Sequence, residues 1–214
     1  MLIVTIVAVI VLLVWLVAFS PVLGVRSVQV KGEKALTAQE IVAVAAVSHG
    51  RPLIRVSTSA IEKRIEKLSR VASATVTVSY PSTVIISVAE RVPVGFFSAG
   101  GKYTLVDRTG RQYLTVTKAP NLPHLVAAGA AVDDPATVQT LATVAGALTP
   151  ALRKVVTTVN ANDADHVTLL LTEGRTVVWG SADRSADKAK VLAALLHRKG
   201  QAFDVSDPDL VVTR

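Results

Sequence analysis

The sequence contains no cysteine. That excludes a disulfide framework, a thiolate metal site and a cysteine nucleophile. It suits an oxidising compartment. Aromatic residues make up only 4% of the chain, so any core must be built from Val, Ala, Leu and Ile. No Lys- or Arg-rich run of the kind that grips nucleic acid is present, although the formal net charge is +7. The basic residues alternate with acids and apolar residues, the pattern of a solvated surface, with weak attraction to an anionic envelope surface as the second reading, and no nucleic-acid partner is expected. What the chain does have is aliphatic bulk. Half of its residues are apolar, the composition of a folded protein rather than a disordered one. Its 214 residues suffice for one ordinary domain or two small ones.

The opening MLIVTIVAVIVLLVWLVAF carries no charge. A helix of this length spans about 28 Å, close to the hydrocarbon thickness of a bilayer. A cleaved signal peptide needs a basic leader and a shorter apolar core. The small-residue site Ala18-Phe19-Ser20 is followed by Pro21, which disfavours cleavage. Residues 1–20 are therefore expected to be a transmembrane helix, with Trp15 at its interfacial end. The first basic residues, Arg26 and Lys31, come after the span. Taken literally, the positive-inside rule then favours the opposite topology; either a basic cytoplasmic segment lies upstream, the preferred resolution, or a folded domain crosses regardless of charge.

Residues 25–95 read as a β-α-α-β-β unit. VRSVQVKG alternates and stops at Gly32. Thr37 and Glu40 form a capping box, with Leu36 and Ile41 at the staple positions. Ile41, Val44 and Val47 share a face, and Gly50 suits the helix end. A second helix is expected from Ser59, with Glu62 three residues on. Ile61, Ile65, Leu68 and Ala72 form its buried stripe, and Glu62, Lys63, Glu66, Lys67 and Arg70 its solvated face. Two strands come next, with Val76, Val78 and Tyr80 alternating before a Pro81-Ser82 turn and Val84, Ile86 and Val88 after it. Such a sheet leaves an edge open to another chain. Glu90 and Arg91 are expected to mark the exit to water. Pro93 should end ladder pairing locally and stiffen the bridge into the second domain.

Residues 96–214 read as β-rich. KYTLVDRTGRQY is a hairpin turning on Asp107 to Gly110. Asp134-Pro135 supplies an N-cap and an N1 proline to a helix with Val138, Leu141, Ala142, Ala145 and Leu148 on one side, closed by Pro150. Strands are expected at Lys154–Asn160, His166–Thr172 and Thr176–Trp179. A helix should run from about Ser185 to Lys199, and AFDVSDPDLVVTR should form two short strands broken at Asp207-Pro208.

No catalytic constellation emerges. Ser98, in Gly95-Phe-Phe-Ser-Ala-Gly100, lacks the Gly-x-Ser-x-Gly spacing of a nucleophile elbow and reads as a loop serine. His49, His124, His166 and His197 are scattered. Asp163, Asp165 and His166 could touch a metal, but turn chemistry already explains them, and helix capping explains Asp133-Asp134. Gly100-Gly101 lacks the rest of a phosphate-binding motif. The expectation is no enzyme, no cofactor and no metal. The alternatives are an envelope peptidoglycan-modifying enzyme and a β-α-α-β-β module for polypeptide transport. The first lacks a visible site, and the second needs a β-barrel for which too little chain remains.

Taken in order, these segments carry a resemblance. A strand-helix-helix-strand-strand unit directly after one membrane span looks like a POTRA domain. YPSTVIISVAERVPVG and SPVLGVRSVQVKG resemble the matching segments of FtsQ/DivIB cell-division proteins. The Leu-Val-Asp-x-x-Gly hairpin at 105–110, Leu122-Pro123-His124-Leu125, the late helix starting with Lys188 after a strand ending at Gly180, and the closing Phe203-Asp204-Val205 extend the likeness over nearly the whole chain. The resemblance implies an α+β protein with a transmembrane helix at 1–20, a POTRA-like domain at 25–95 and, at 96–214, a domain of antiparallel strands with two helices. It implies a non-enzymatic division protein in the cytoplasmic membrane at the septum, N-terminus inside and bulk outside. Its partners would be small coiled-coil membrane proteins of the FtsB/DivIC and FtsL kind and septal cell-wall synthases. In the family the last strand serves as an edge for strand addition. Here that places partner binding at Leu210, Val211, Val212 and Thr213, with Trp179 as a neighbour by sheet order.

Overall fold

The computed structural model describes residues 3–10, 23–129, 134–198, 200–210 and 212–213. Of the expected span, residues 3–10 form an exposed helix, α1, and the rest lies outside the described residues. Among the described residues no helix is long and apolar enough to cross a membrane. The chain divides into two compact units, Met1–Arg91 and Val92–Arg214.

The first unit runs β1 (Ser27–Lys31), α2 (Ala38–Ala45), α3 (Thr58–Ile65), β2 (Val71–Ser79) and β3 (Thr83–Glu90). The sheet order is β1-β3-β2. β1 runs parallel to β3, and β2 pairs antiparallel with it, Val76 opposite Ile86 and Val78 opposite Val84. Ile41 and Ala45 of α2 and Ile61 and Ile65 of α3 close a core over Val76, Val84, Ile86 and Val88. The expected capping box is present: Thr37 accepts the Glu40 N–H, and Glu40 accepts the Thr37 N–H. Leu36 packs against the same core.

Both helices are shorter than their sequence pattern. α2 stops at Ala46, whose left-handed φ of 48° ends the helix before Gly50 is reached. α3 starts after Ser57 rather than at Ser59 and ends at Ile65. The i+7 and i+11 positions of the stripe therefore leave the helix. Leu68 sits in the next turn, its N–H bonded to the Ile65 carbonyl, and Ala72 is an exposed residue of β2. The supposed solvated face of α3 also has a structural task. Glu62 Oε1 accepts the Val76 N–H at 2.7 Å, and Glu66 Oε1 accepts the Ala74 N–H at 3.4 Å. β2 is an edge strand, so these carboxylates occupy edge donors that would otherwise be free to pair with another strand.

The second unit contains β4 (Pro93–Ala99), β5 (Lys102–Asp107), β6 (Gln112–Val116), β7 (His124–Ala127), α4 (Pro135–Ala147), α5 (Leu152–Val155), β8 (Val156–Ala161), β9 (Val167–Leu171), β10 (Thr176–Gly180), α6 (Ser185–Leu195), β11 (Ala202–Asp204) and β12 (Val212–Thr213). One nine-stranded sheet has the order β12-β11-β10-β9-β8-β7-β4-β5-β6. It is mixed rather than antiparallel: β4 with β7, β7 with β8 and β10 with β11 are parallel pairs. Among the described residues three helices, not two, accompany it. Leu141, Ala142 and Ala145 of α4, Leu152 of α5 and Ala189 and Leu192 of α6 share one core with Val159, Leu169, Val177 and Trp179. Alternate strand residues such as Leu170 and Val178 remain exposed on the other face.

β4 is a strand the sequence pattern hides. Pro93 opens its ladder, opposite Asp107, instead of ending pairing there, and Ser98 stands in the strand opposite Tyr103 rather than in a loop. A proline is tolerated at a strand's first residue. α4 starts as expected, with Asp134 accepting the Ala136 and Thr137 N–H groups and a proline in the first turn.

Candidate partner-binding edge

β11 and β12 finish the nine-stranded sheet. β11 lies parallel to β10, with Phe203 opposite Val177, and the Phe203 ring is buried in the core. β12 then pairs antiparallel with β11, Thr213 opposite Phe203 and Val212 opposite Asp204. β12 is last in the sheet order, so among the described residues no strand lies on its outer side. The chain reaches it through DVSDPDL, a run whose short acids close their own turns. Asp204 Oδ1 accepts the N–H and hydroxyl of Ser206 at 3.0 and 2.6 Å. Asp207 Oδ1 accepts the Asp209 N–H at 3.0 Å, and the Asp207 carbonyl accepts the Leu210 N–H.

The expected binding residues occupy different places. Leu210 projects to solvent at 73% exposure just before β12. Val212 and Thr213 form β12 itself, and Val211 lies outside the described residues. Trp179 is on β10, two strands in from the edge, with 0% exposure. Its indole N–H donates to Ser185 Oγ at 3.2 Å. The ring is core, a supporting element rather than a contact surface. Further into the sheet, with β11 between it and β12, the open face of β8, β9 and β10 forms a shallow concavity of about 440 Å³ lined by Thr158, Thr168, Leu170, Thr176 and Val178. The outer main-chain groups of β12 can pair with an extended segment, and the concavity on the interior strands offers a separate apolar surface. They offer nothing that moves a proton or attacks a carbonyl.

Sequence reasoning missed the brace beneath this edge. Lys188 of α6 is 2% exposed, and its Nζ donates to the carbonyls of Trp179 at 3.0 Å and Ser181 at 2.9 Å. Burial pushes its ammonium below the usual lysine range. The resemblance singled out Lys188 without giving it a task, and the fold turns it inward to these carbonyls.

The other candidates are structural. Asp163 Oδ1 accepts the Asp165 N–H, the His166 N–H and the His166 ring Nδ1, a self-contained turn. Hydrogen bonds from Asp165 and His166 hold Asp163 below its ordinary carboxylate range. His124 stacks on Phe96 with ring centroids 5.1 Å apart. Asp133 lies outside the described residues. Among the described residues no group of three His, Asp or Glu side chains is placed to hold a metal.

Comparison with known proteins agrees in both units. Residues 23–91 match the family model of the FtsQ-type POTRA domain, and residues 96–210 that of the FtsQ/DivIB C-terminal region. Cell division protein FtsQ of Mycolicibacterium smegmatis is 40% identical over 195 residues, covering 91% of this chain and 58% of that protein. FtsQ of Streptomyces venezuelae is 41% identical over 204 residues, covering 91% and 75%. FtsQ of Mycobacteroides abscessus is 36% identical over 192 residues, covering 90% and 62%. The match thus spans 56% to 62% of the length of the first three mycobacterial relatives. The major extracytoplasmic domain of DivIB from Geobacillus stearothermophilus is 18% identical, covering 50% of this chain and 92% of that one. Its TM-score of 0.38 is too low to carry an inference.

Proposed function

Because the chain belongs to the FtsQ/DivIB family of cell-division proteins, we propose that it is a non-enzymatic, membrane-anchored component of the division machinery. It recruits and regulates other septal proteins through its extracytoplasmic units. Residues 1–20 are its single span, with the N-terminus in the cytoplasm and the bulk of the chain outside, at the septum. The partners are small coiled-coil membrane proteins of the FtsB/DivIC and FtsL kind, together with septal cell-wall synthases. The charge-free opening run and the family membership support this reading.

The mechanism is strand addition. The observation that carries it is the sheet order, which puts β12 at a free end. A partner segment pairs with the outer side of Val212 and Thr213. Main-chain hydrogen bonds supply affinity, and flanking side chains such as Leu210 supply selectivity. Deleting Asp209–Arg214 should abolish co-purification of the FtsB/DivIC-like protein from the same cells while the chain stays folded in the membrane. Unchanged co-purification rules out this edge. A fluorescent fusion should form septal rings in dividing cells, and a uniform membrane signal would contradict the division role.

A further inference from the structure

We propose that Arg184 and Asp209 form a salt-sensitive latch that sets the position of the β12 edge. This deepens the strand-addition reading and rests on it. β12 is two residues long, and its ladder to β11 is correspondingly short. A strand so brief needs its lead-in segment held from elsewhere.

Arg184 provides that hold. Its Nη1 donates to Asp209 Oδ2 at 2.7 Å and its Nη2 to Asp209 Oδ1 at 3.2 Å, a forked pair joining residues 25 apart in sequence. Bidentate geometry of this kind fixes orientation as well as distance. Hydrogen bonding and charge from Arg184 hold Asp209 below its ordinary range. Asp187 Oδ2 also lies 3.9 Å from Arg184 Nε.

The arginine is presented from a rigid base. Arg184 adopts φ 52° and ψ 27°, a left-handed conformation that non-glycine residues hold only when their surroundings fix it. Its carbonyl accepts the N–H groups of Asp187 and Lys188. The Lys188 ammonium ties that helix start to the end of β10, and Ser185 Oγ donates to the Ala182 carbonyl at 2.7 Å. On the opposite side the turn approaches β10 directly. The Val205 N–H bonds the Val178 carbonyl, and a Cβ placed on Gly180 would come within 3.1 Å of Ser206 Cβ. Gly180, at φ 74°, thus lets the turn seat, and the Arg184–Asp209 fork holds its far end.

Both partners of the fork are about half exposed or more, at 51% and 72%. Salt screens such a pair, with a Debye length near 3 Å at 1 M. The edge is therefore best ordered at low ionic strength.

Hydrogen–deuterium exchange on the full chain tests the latch without any partner. Arg184→Asn removes the guanidinium while keeping a residue that tolerates positive φ. In Arg184→Asn and in Asp209→Asn, amides of segment 200–213 should exchange up to about five-fold faster than wild type, the upper range for an exposed pair. Wild type should approach the same rate in 1 M salt. The charge swap Arg184→Asp with Asp209→Arg should restore protection at low salt, and α6 should be unaffected throughout. Unchanged exchange in the single variants, no rescue by the swap, or equal acceleration in α6 would overturn the latch. If exchange behaves as expected but deletion of Asp209–Arg214 leaves partner capture intact, the latch stands and the strand-addition reading fails.

Discussion

Glu90, the last residue of β3, accepts the main-chain N–H of Leu36 at 3.0 Å. The same carboxylate takes the N–H groups of Lys34 at 2.6 Å and Ala35 at 3.0 Å. A charged side chain at the end of one strand therefore organises the loop that leads into α2, 54 residues away in sequence. Removing it strands three donors. Glu90→Ala should lower the stability of the first unit by about 1 to 2 kcal/mol, after discounting for solvent. Thermal unfolding would measure this, and Glu90→Gln, which keeps an acceptor oxygen, should lose less.

The same contact predicts an acid response. Desolvation tends to raise the Glu90 carboxyl, but hydrogen bonds from Lys34, Leu36 and Ala35 and the charge of Arg70 outweigh it, and the net shift is downward. A group lowered in the folded state contributes its full stability above its ordinary value of 4.5 and loses it as pH falls through the folded value. Wild type should weaken on acidification below about that point, and Glu90→Gln should show a shallower fall. Parallel slopes would refute the assignment.

Lys188 predicts the opposite end of the scale. Burial lowers its ammonium from the ordinary 10.5. Between the lowered value and 10.5 the unfolded chain binds more protons, so stability rises with pH across that window. Lys188→Met should abolish this rise. It should also cost about 1 to 3 kcal/mol at neutral pH, because the carbonyls of Trp179 and Ser181 lose their donor. Denaturant titrations from pH 7 to 10.5 would show both effects.

Gly95 in β4 is fixed by a neighbour. A Cβ there would fall 2.7 Å from two carbons of the Leu125 side chain. Leu125 is itself fully packed at 1% exposure. Gly95→Ala should destabilise the second unit by about 1 to 3 kcal/mol. Combined with Leu125→Ala, which removes the γ and δ carbons that a Cβ at Gly95 would meet, it should cost less than the sum of the two single changes in a double-mutant cycle.

Glu62 and Glu66 predict a local change only. With both replaced by Ala, the amides of Val76 and Ala74 lose their acceptors and should exchange with deuterium faster than in wild type. The double Gln variant, which keeps an oxygen at each position, should retain protection. Equal rates in all three proteins would mean the carboxylates do not guard the edge.

Features whose cause lies within a few residues were legible in the sequence. The Thr37–Glu40 capping box, the Asp134-Pro135 helix start and the 107–110 turn all stand where their residues put them. Features whose cause lies across the fold were not. Pro93 and Gly95 both argue against a strand locally, yet β4 forms because β5 and β7 flank it and Leu125 needs the space at Gly95. The α3 stripe continues on paper through Leu68 and Ala72, but the chain turns to meet β3. Glu62, Glu66 and Glu90 look like solvated charge until their backbone partners are known. The terminal edge was suggested by family resemblance. Lys188 was singled out by the same resemblance, but its carbonyl partners were not, and Arg184 had no local signature.

The join between β4 and β7 carries a mechanical consequence. The two strands share one register pair, Phe96 opposite His124. The Phe96 N–H bonds the Pro123 carbonyl, and the two rings stack across the gap. On either side the ladders run longer, from β4 through β6 and from β7 through β10. A tensile load on this unit would find its fault line there. α4 contributes Leu141, Val144 and Ala145 to the same core as Val94 of β4 and Leu125 of β7, and so acts as a splint across the crack. Under such a load the sheet would part at Phe96 and His124, with β7 to β10 remaining joined as one piece.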